Sequence, residues 1–189
     1  MTEEIIIAGF GGQGILSMGK ILAYSAVMQN KEVSWFPSYG PEMRGGTANV
    51  IVIISDEKIS SPMVNKFDTA ILLNQQSLTK FENNIKPGGL LIFDPIGIKN
   101  FPVRNDIEIY SIRATDEASK KGISKIFNMV VLGGYLKIKP VIQPEFIRKG
   151  LEKSLPSRYH SLIPDNEKAI QTGNEIITVF NKNVLQNPS

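Results

Sequence analysis

A single α/β domain built on a mostly parallel, twisted sheet flanked by helices is what this sequence predicts. Three observations carry that prediction. The β-branched run Ile5-Ile6-Ile7 leads straight into a glycine-rich segment and then into residues at helical spacing. Further apolar runs of strand length follow, separated by turn residues and helical stretches. The chain has 189 residues, 42% of them hydrophobic and 21% charged, which suits one folded domain and is too apolar for disorder. A strand, a glycine loop and a helix in that order make the expected fold Rossmann-like. We expect the domain to cover residues 1–182 and residues 183–189 to be a frayed tail.

The elements are read in chain order. After the glycines, Ile15, Met18, Leu22 and Ala26 fall on one helical face, and Gly19 on the same side allows close approach to a sheet. Glu32 to Phe36 reads as a second strand stopped by Pro37, because proline cannot donate to a ladder. Residues 37–46 hold two prolines and several glycines and read as a loop. Ala48 to Ile54 is a third strand and Phe67 to Leu73 a fourth. Ser77 caps a short helix to Asn83. Pro87-Gly88-Gly89 turns the chain into a fifth strand, Leu90 to Phe93, and Ile107 to Ile112 is a sixth. Helices are expected at Ala114 to Lys121, Lys125 to Leu136 and Pro144 to Leu155, the last opened by a first-turn proline. A final helix, capped by Asp165, runs to about Phe180.

Composition removes several chemistries. There is no cysteine, so disulfides, thiolate catalysis and an iron–sulfur cluster held by this chain alone are excluded. The one histidine, His160, cannot form a two-histidine metal motif. It reads as a surface or interface residue rather than a catalyst. The net charge of +3 is a mild excess without clustered basic residues, which argues against nucleic acid. The N-terminus lacks a basic region, and its apolar run is too short for a signal peptide or membrane span, so a cytoplasmic protein is expected.

Two motifs carry the functional reading. Gly9-x-Gly11-x-x-Gly14 lies between a strand and a helix, where glycines permit a tight turn and the helix N-terminus offers free N–H groups to an anion. A dinucleotide site also wants an acid at the end of the second strand, and here that end reads Trp35-Phe36-Pro37-Ser38. Glu32 stands at the start of the strand instead. A tight turn with no ligand, another anion, and a protein partner all stay open. The second motif is Tyr39-Gly40-Pro41-Glu42-Met43-Arg44-Gly45-Gly46, in which a guanidinium adjoins backbone N–H groups and suits a phosphate or carboxylate. Its bland reading is a surface ion pair of Arg44 with Glu42 or Glu4. Gln13 supplies hydrogen bonds but no acid–base chemistry. Asp56 and Asp94, at strand ends, read as turn formers. Trp35 and Phe36 read as core or subunit-interface residues.

Read together, Ile7 to Ile15 and Pro37 to Gly46 resemble the gamma subunit of the 2-oxoacid:ferredoxin oxidoreductases. Ile54-Ser55-Asp56, Lys86-Pro87-Gly88-Gly89, Asn128-Met129 with Leu132-Gly133, and Asn166 to Ala169 extend the resemblance across roughly Ile5 to Gly173. The wording Tyr-Gly-Pro-Glu-Met-Arg-Gly-Gly is similar to 2-oxoglutarate and branched-chain members, and 2-oxoglutarate is favoured. The segment Asp94-Pro95-Ile96-Gly97 departs from the Asn-Ser-Ser type segment of many members and leaves the subclass open.

The resemblance implies oxidative decarboxylation of a 2-oxoacid with thiamine diphosphate, transfer of electrons through iron–sulfur clusters to ferredoxin, and release of a coenzyme A thioester. It places thiamine diphosphate and magnesium on alpha and beta subunits and clusters on a cysteine-bearing delta subunit. No cofactor is then held by this chain alone, and the isolated chain is expected to be inactive. The site residues expected are Gly11, Gly12, Gln13, Gly14, Tyr39, Arg44, Gly45 and Gly46. They would contact coenzyme A phosphates or seat the subunit against its partners. A stand-alone dinucleotide-binding oxidoreductase and a purely structural subunit remain as alternatives.

Overall fold

The computed structural model describes residues 1–39 and 47–181, with Tyr39 described for its backbone only. Arg44, Gly45 and Gly46 lie outside the described residues, as does the expected tail from 183 onward. The strands are β1 (Thr2–Phe10), β2 (Glu32–Tyr39), β3 (Thr47–Ser55), β4 (Phe67–Leu72), β5 (Ile85–Phe93), β6 (Glu108–Ser111) and β7 (Thr178–Val179). The helices are α1 (Ile15–Met28), α2 (Gln75–Phe81), α3 (Ala114–Lys120), α4 (Phe127–Ile138), α5 (Pro144–Ser154) and α6 (Ile163–Ile176). The seven strands form one sheet in the order β2-β3-β1-β4-β5-β6-β7.

The pairings β1–β4, β4–β5 and β5–β6 are parallel. β3 runs antiparallel to both β1 and β2, and β7 antiparallel to β6. β1, β2, β4, β5 and β6 therefore point one way, and only β3 and β7 oppose them. The α/β domain with helices flanking a mostly parallel sheet is as the sequence predicted.

The sheet separates two unequal cores. Ile5, Ile7, Val50, Val52, Ile71 and Ile92 face one side, where α1, α4, α5 and α6 pack. Ile6, Ala8, Ala70, Leu72, Leu91 and Phe93 face the other, where the seven-residue α2 is the helix that contributes. Strands buried on both faces read as continuous apolar runs, which is the pattern of Ile5-Ile6-Ile7. Gly19 does what its position suggested: a Cβ there would meet Val50 Cγ1 at 2.7 Å, so its absence lets α1 lie close on β3.

Several boundaries differ from expectation, each for a local reason. β2 continues through Pro37, which pairs with Val50. β2 is the edge of the sheet, where a missing N–H is tolerated. The cap of α2 is Asn74, not Ser77: its Oδ1 accepts the Ser77 N–H at 2.7 Å. Pro87-Gly88-Gly89 lies inside β5, where the register with β4 shifts between Phe67 and Thr69. Lys125 sits in a 3-10 turn over Ser124–Ile126 that precedes α4. The last helix stops at Ile176, and residues 178–179 add β7 beside β6. Asp165 is in the first turn of α6 rather than at its cap.

Candidate functional site

The chain leaves β1 for α1 on one face of the sheet and leaves the adjacent parallel β4 for α2 on the other. Their carboxyl ends thus flank a topological switch point, the place where open α/β sheets leave a crevice for ligands. The glycine loop, residues 9–14, stands on the β1 side of that point.

Each glycine has a different task. Gly12 (φ 92°) and Gly14 (φ 70°) are in the left-handed region, which an L side chain adopts only with strain. A Cβ on Gly14 would also stand 2.5 Å from Asn128 Nδ2, whereas one on Gly12 would meet open space. Gly9 makes room for Gln13, since a Cβ there would lie 2.5 Å from Gln13 Oε1. Gln13 folds back over the loop. Its Oε1 accepts the Phe10 N–H at 2.6 Å, and its Nε2 reaches the Leu73 carbonyl oxygen at 3.5 Å. The side chain therefore ties the end of β1 to the residue after β4.

α1 begins at Ile15 with Gly14 at its cap and no side-chain cap. Its first-turn N–H groups are available to an anion, as at any helix start without a cap. They open on a cleft of about 300 Å³ between the glycine loop and the start of α4, lined among others by Gly12, Gly14, Ser17, Lys125, Asn128 and Asn166. Asn128, itself buried, donates from Nδ2 to the Gly14 carbonyl oxygen at 3.1 Å and fixes the loop against α4. Lys125 and Asn128 were not expected at this loop. The signal for Asn128 was a polar residue at the head of a helix whose first two turns are otherwise apolar.

The second motif is placed only through its ends. Tyr39 is opposite Ala48, and Thr47 is opposite Phe10. The residues on either side of 40–46 thus stand at the same sheet edge as the glycine loop. Glu32 lies at the other end of β2, opposite Ser55, far from where a ribose acid would be needed.

The remaining candidates take structural positions. His160 Nε2 lies 3.0 Å from the carbonyl oxygens of both Glu152 and Leu155. Carbonyl oxygens only accept, so this nitrogen carries the proton and ties the end of α5. Asp94 accepts from the Ile96 N–H at 3.0 Å, the Thr115 N–H at 2.8 Å and Thr115 Oγ1 at 2.7 Å, which fastens the end of β5 to the start of α3. Burial raises its carboxyl above the usual range against the pull of those bonds. Asp56, at the opposite end of the sheet, is paired with Lys31 and the N-terminal amine. Among the described residues no group of three or more His, Cys, Asp or Glu could hold a metal ion, and no helix is long and apolar enough to cross a membrane.

Residues 4–176 match the model of the pyruvate ferredoxin/flavodoxin oxidoreductase family. The chain is 39% identical over 130 residues to ketoisovalerate oxidoreductase subunit VorA of Methanothermobacter marburgensis, covering 69% of this chain and 27% of that protein. It therefore spans about a quarter of that relative's length. It is 37% identical over 160 residues to 2-oxoglutarate synthase subunit KorC of Methanocaldococcus jannaschii, covering 82% of this chain and 85% of the relative. A structure of 2-oxoglutarate:ferredoxin oxidoreductase from Magnetococcus marinus, with 2-oxoglutarate, coenzyme A and succinyl-CoA bound, superposes with a TM-score of 0.82 at 25% identity. That match covers 92% of this chain and 30% of the other. The chain belongs to the pyruvate ferredoxin/flavodoxin oxidoreductase family, among its gamma-type subunits.

Proposed function

We propose that this chain is the gamma subunit of a cytoplasmic 2-oxoacid:ferredoxin oxidoreductase, that the 2-oxoacid is 2-oxoglutarate, and that the chain closes the active site by holding coenzyme A phosphates. The complex would convert 2-oxoacid, coenzyme A and oxidised ferredoxin to acyl-CoA, carbon dioxide and reduced ferredoxin. The likeness to KorC, over most of both chains, favours 2-oxoglutarate. The likeness to VorA, over a smaller share, favours a branched-chain 2-oxoacid and is the second reading.

The observation that carries the coenzyme A reading is the uncapped α1 N-terminus opening on a cleft that also contains Lys125. Backbone N–H groups and an ammonium suit a phosphate. Arg44, Gly45 and Gly46 would add a guanidinium and further N–H groups from the neighbouring segment, with Tyr39 at its entry. Gly11, Gly12 and Gly14 keep side chains out of the way, and Gln13 holds the loop in register. Proton transfer is asked of none of these residues.

Thiamine diphosphate with magnesium would supply the decarboxylation chemistry and iron–sulfur clusters the electron path. This chain's residues do not fit a cluster, since it has no cysteine. Those groups would belong to alpha, beta and delta subunits. In this reading the chain's own work is to bind and orient the thioester-forming substrate.

The test is calorimetry on the purified chain and on the reconstituted complex, with and without this chain. Coenzyme A should bind the whole complex at least tenfold more tightly than the complex lacking the chain, and the isolated chain should reduce no viologen dye with 2-oxoglutarate. Equal affinity with and without the chain would defeat the reading, as would dye reduction by the chain alone.

A further inference from the structure

The cleft at the glycine loop gathers the starts of three helices. Gly14 and Ser17 at the start of α1, Asn128 near the start of α4 and Asn166 near the start of α6 all line it. None of these helices has a side-chain cap, so three positive dipole ends stand around one cleft. Lys125 adds an ammonium, and no Asp or Glu is among the described residues that line it. That surrounding favours an anion. Two of the lining side chains have the opposite polarity.

Asn128 and Asn166 are 7% and 6% exposed. Each turns its amide nitrogen to a backbone carbonyl oxygen: Asn128 Nδ2 donates to Gly14 at 3.1 Å, and Asn166 Nδ2 to Leu162 at 2.7 Å. A carbonyl oxygen only accepts, so these bonds fix which end of each amide is nitrogen. Both Oδ1 atoms are left as acceptors, and among the described residues no donor meets either of them. The polar side-chain atoms sealed from solvent without a partner are Asn74 Nδ2, Ser77 Oγ and Tyr135 OH, and neither Oδ1 is among them. The exposed remnant of each asparagine therefore includes its oxygen, at the cleft that both residues line. An acceptor so nearly buried gains from a donor that a ligand brings.

We infer that Asn128 and Asn166 are specificity residues of this cleft: their Oδ1 atoms accept N–H groups of a ligand whose phosphate is held by the helix starts and Lys125. That the ligand is coenzyme A rests on the proposed function. Coenzyme A carries both chemistries, with N–H donors in the amides of its pantetheine arm and in the amino group of its adenine. A cleft of about 300 Å³ is at the small end for an organic ligand, so it takes one portion of that molecule. Pyrophosphate offers oxygens, mostly ionised, where these two acceptors need a donor. The asparagines thus select coenzyme A against simple phosphates, a choice that N–H groups and an ammonium alone do not make.

The experiment is calorimetry on the complex reconstituted with wild type, Asn166→Leu or a control, Val103→Asp, Val103 being 75% exposed and outside the cleft. The ligands are coenzyme A, phosphopantetheine, adenosine bisphosphate and pyrophosphate, with thiamine diphosphate saturating throughout. Gel filtration and circular dichroism check assembly and fold. Leucine keeps the size of asparagine and removes the acceptor. Asn166→Leu should weaken coenzyme A about five- to tenfold, since a ligand N–H is left unmet, and should leave pyrophosphate within about twofold. Val103→Asp should change neither. The same loss for phosphopantetheine assigns the donor to a pantetheine amide, and for adenosine bisphosphate to the adenine amino group. Coenzyme A bound by Asn166→Leu as by wild type would overturn the inference. So would coenzyme A and pyrophosphate weakened alike, which is what a collapsed cleft predicts. If Asn166→Leu does not fold, a crystal structure of the wild-type complex with coenzyme A decides. A ligand nitrogen within about 3.2 Å of either Oδ1 supports the inference, and only water or protein there overturns it. Coenzyme A bound equally well with and without this chain would instead overturn the proposed function, and this inference with it.

Discussion

Gln13 shows how a side chain's chemistry and its neighbours set what it does at the glycine loop. Gln13 looks like a ligand-binding residue in sequence, yet both ends of its amide have partners inside the chain. These two bonds hold the loop. Arg44 follows in the second motif, whose flanking residues Tyr39 and Thr47 bracket the same sheet edge. If its guanidinium holds a coenzyme A phosphate, Arg44→Ala removes a charge-assisted hydrogen bond of roughly 1.5–3 kcal/mol. The KM for coenzyme A in the assembled complex should then rise about 10- to 150-fold, with the KM for the 2-oxoacid little changed. Arg44→Lys should recover only part, because a point charge does not replace a planar fork. Gel filtration comes first, since a seating role predicts loss of the subunit and of all activities together. An intact complex with unchanged coenzyme A kinetics would remove Arg44 from the phosphate site. The glycine loop was legible in sequence because glycines must recur where the backbone turns. Lys125 and Asn128 were not, because their approach to the loop depends on how α4 packs, which local spacing does not encode.

Elements were read well where periodicity decides and poorly where the sheet decides. The helical face of α1 and the apolar run of β1 are local patterns, and both stand as expected. β2 was cut short at Pro37 because proline breaks a central strand, and only the strand order reveals that β2 is an edge. β7 was taken into the last helix because two residues carry no period of their own; pairing with β6 makes them a strand. The contact of α4 with α6 shows a similar dependence on tertiary context. A Cβ on Gly133 would fall on the Ile170 carbonyl oxygen, and one on Gly173 on the Val130 carbonyl oxygen. These are backbone atoms and cannot swing aside, so the two helices must separate. Gly133→Ala should therefore destabilise by about 3 kcal/mol, the upper end for overpacking. That corresponds to a melting temperature lower by about 6–12 °C for a chain of this size. Gly12→Ala meets no such atoms, although its positive φ makes it strained. Its loss should be no more than about 1–2 kcal/mol. Paired thermal melts check the contrast, and equal shifts would show that α4 and α6 have room to adjust.

Across the whole molecule, three carboxylates at different depths give stability a pH dependence whose sign can be worked out. Glu3 is buried beneath the sheet, where it accepts from Thr69 Oγ1 at 2.5 Å. Burial raises its carboxyl above 4.5, outweighing the opposing Thr69 bond and the attraction of Lys139 and Lys86, while Asp68 adds to the rise. Tyr135, whose hydroxyl is buried without a partner, lies in the same region, and burial raises it well above 10. Asp94 is raised in the same direction by burial. A carboxyl raised in the folded state binds its proton more tightly there than in the unfolded chain. Its contribution is fully present below the unfolded value and is lost as pH rises through the folded one. Asp56 behaves oppositely. The hydrogen bond from Lys31 and that from the N-terminal amine hold it at about 2, so its contribution is present above 3.8 and is lost as pH falls toward 2. Because Asp56 sits at the surface, salt should weaken its part and leave that of Glu3 nearly intact. Two variants separate the effects. Glu3→Gln keeps a neutral polar side chain, so wild type should match or exceed it in acid and lose ground to it as pH rises above 4.5. Asp56→Asn should differ from wild type at neutral pH and converge with it between pH 4 and 2. Urea unfolding followed by the fluorescence of Trp35, the single tryptophan, reads both at each pH. A wild-type-to-Glu3→Gln difference that stays constant or grows in favour of wild type as pH rises would show that Glu3 is ionised in the folded protein across this range, and that Lys139 and Lys86, rather than burial, govern it.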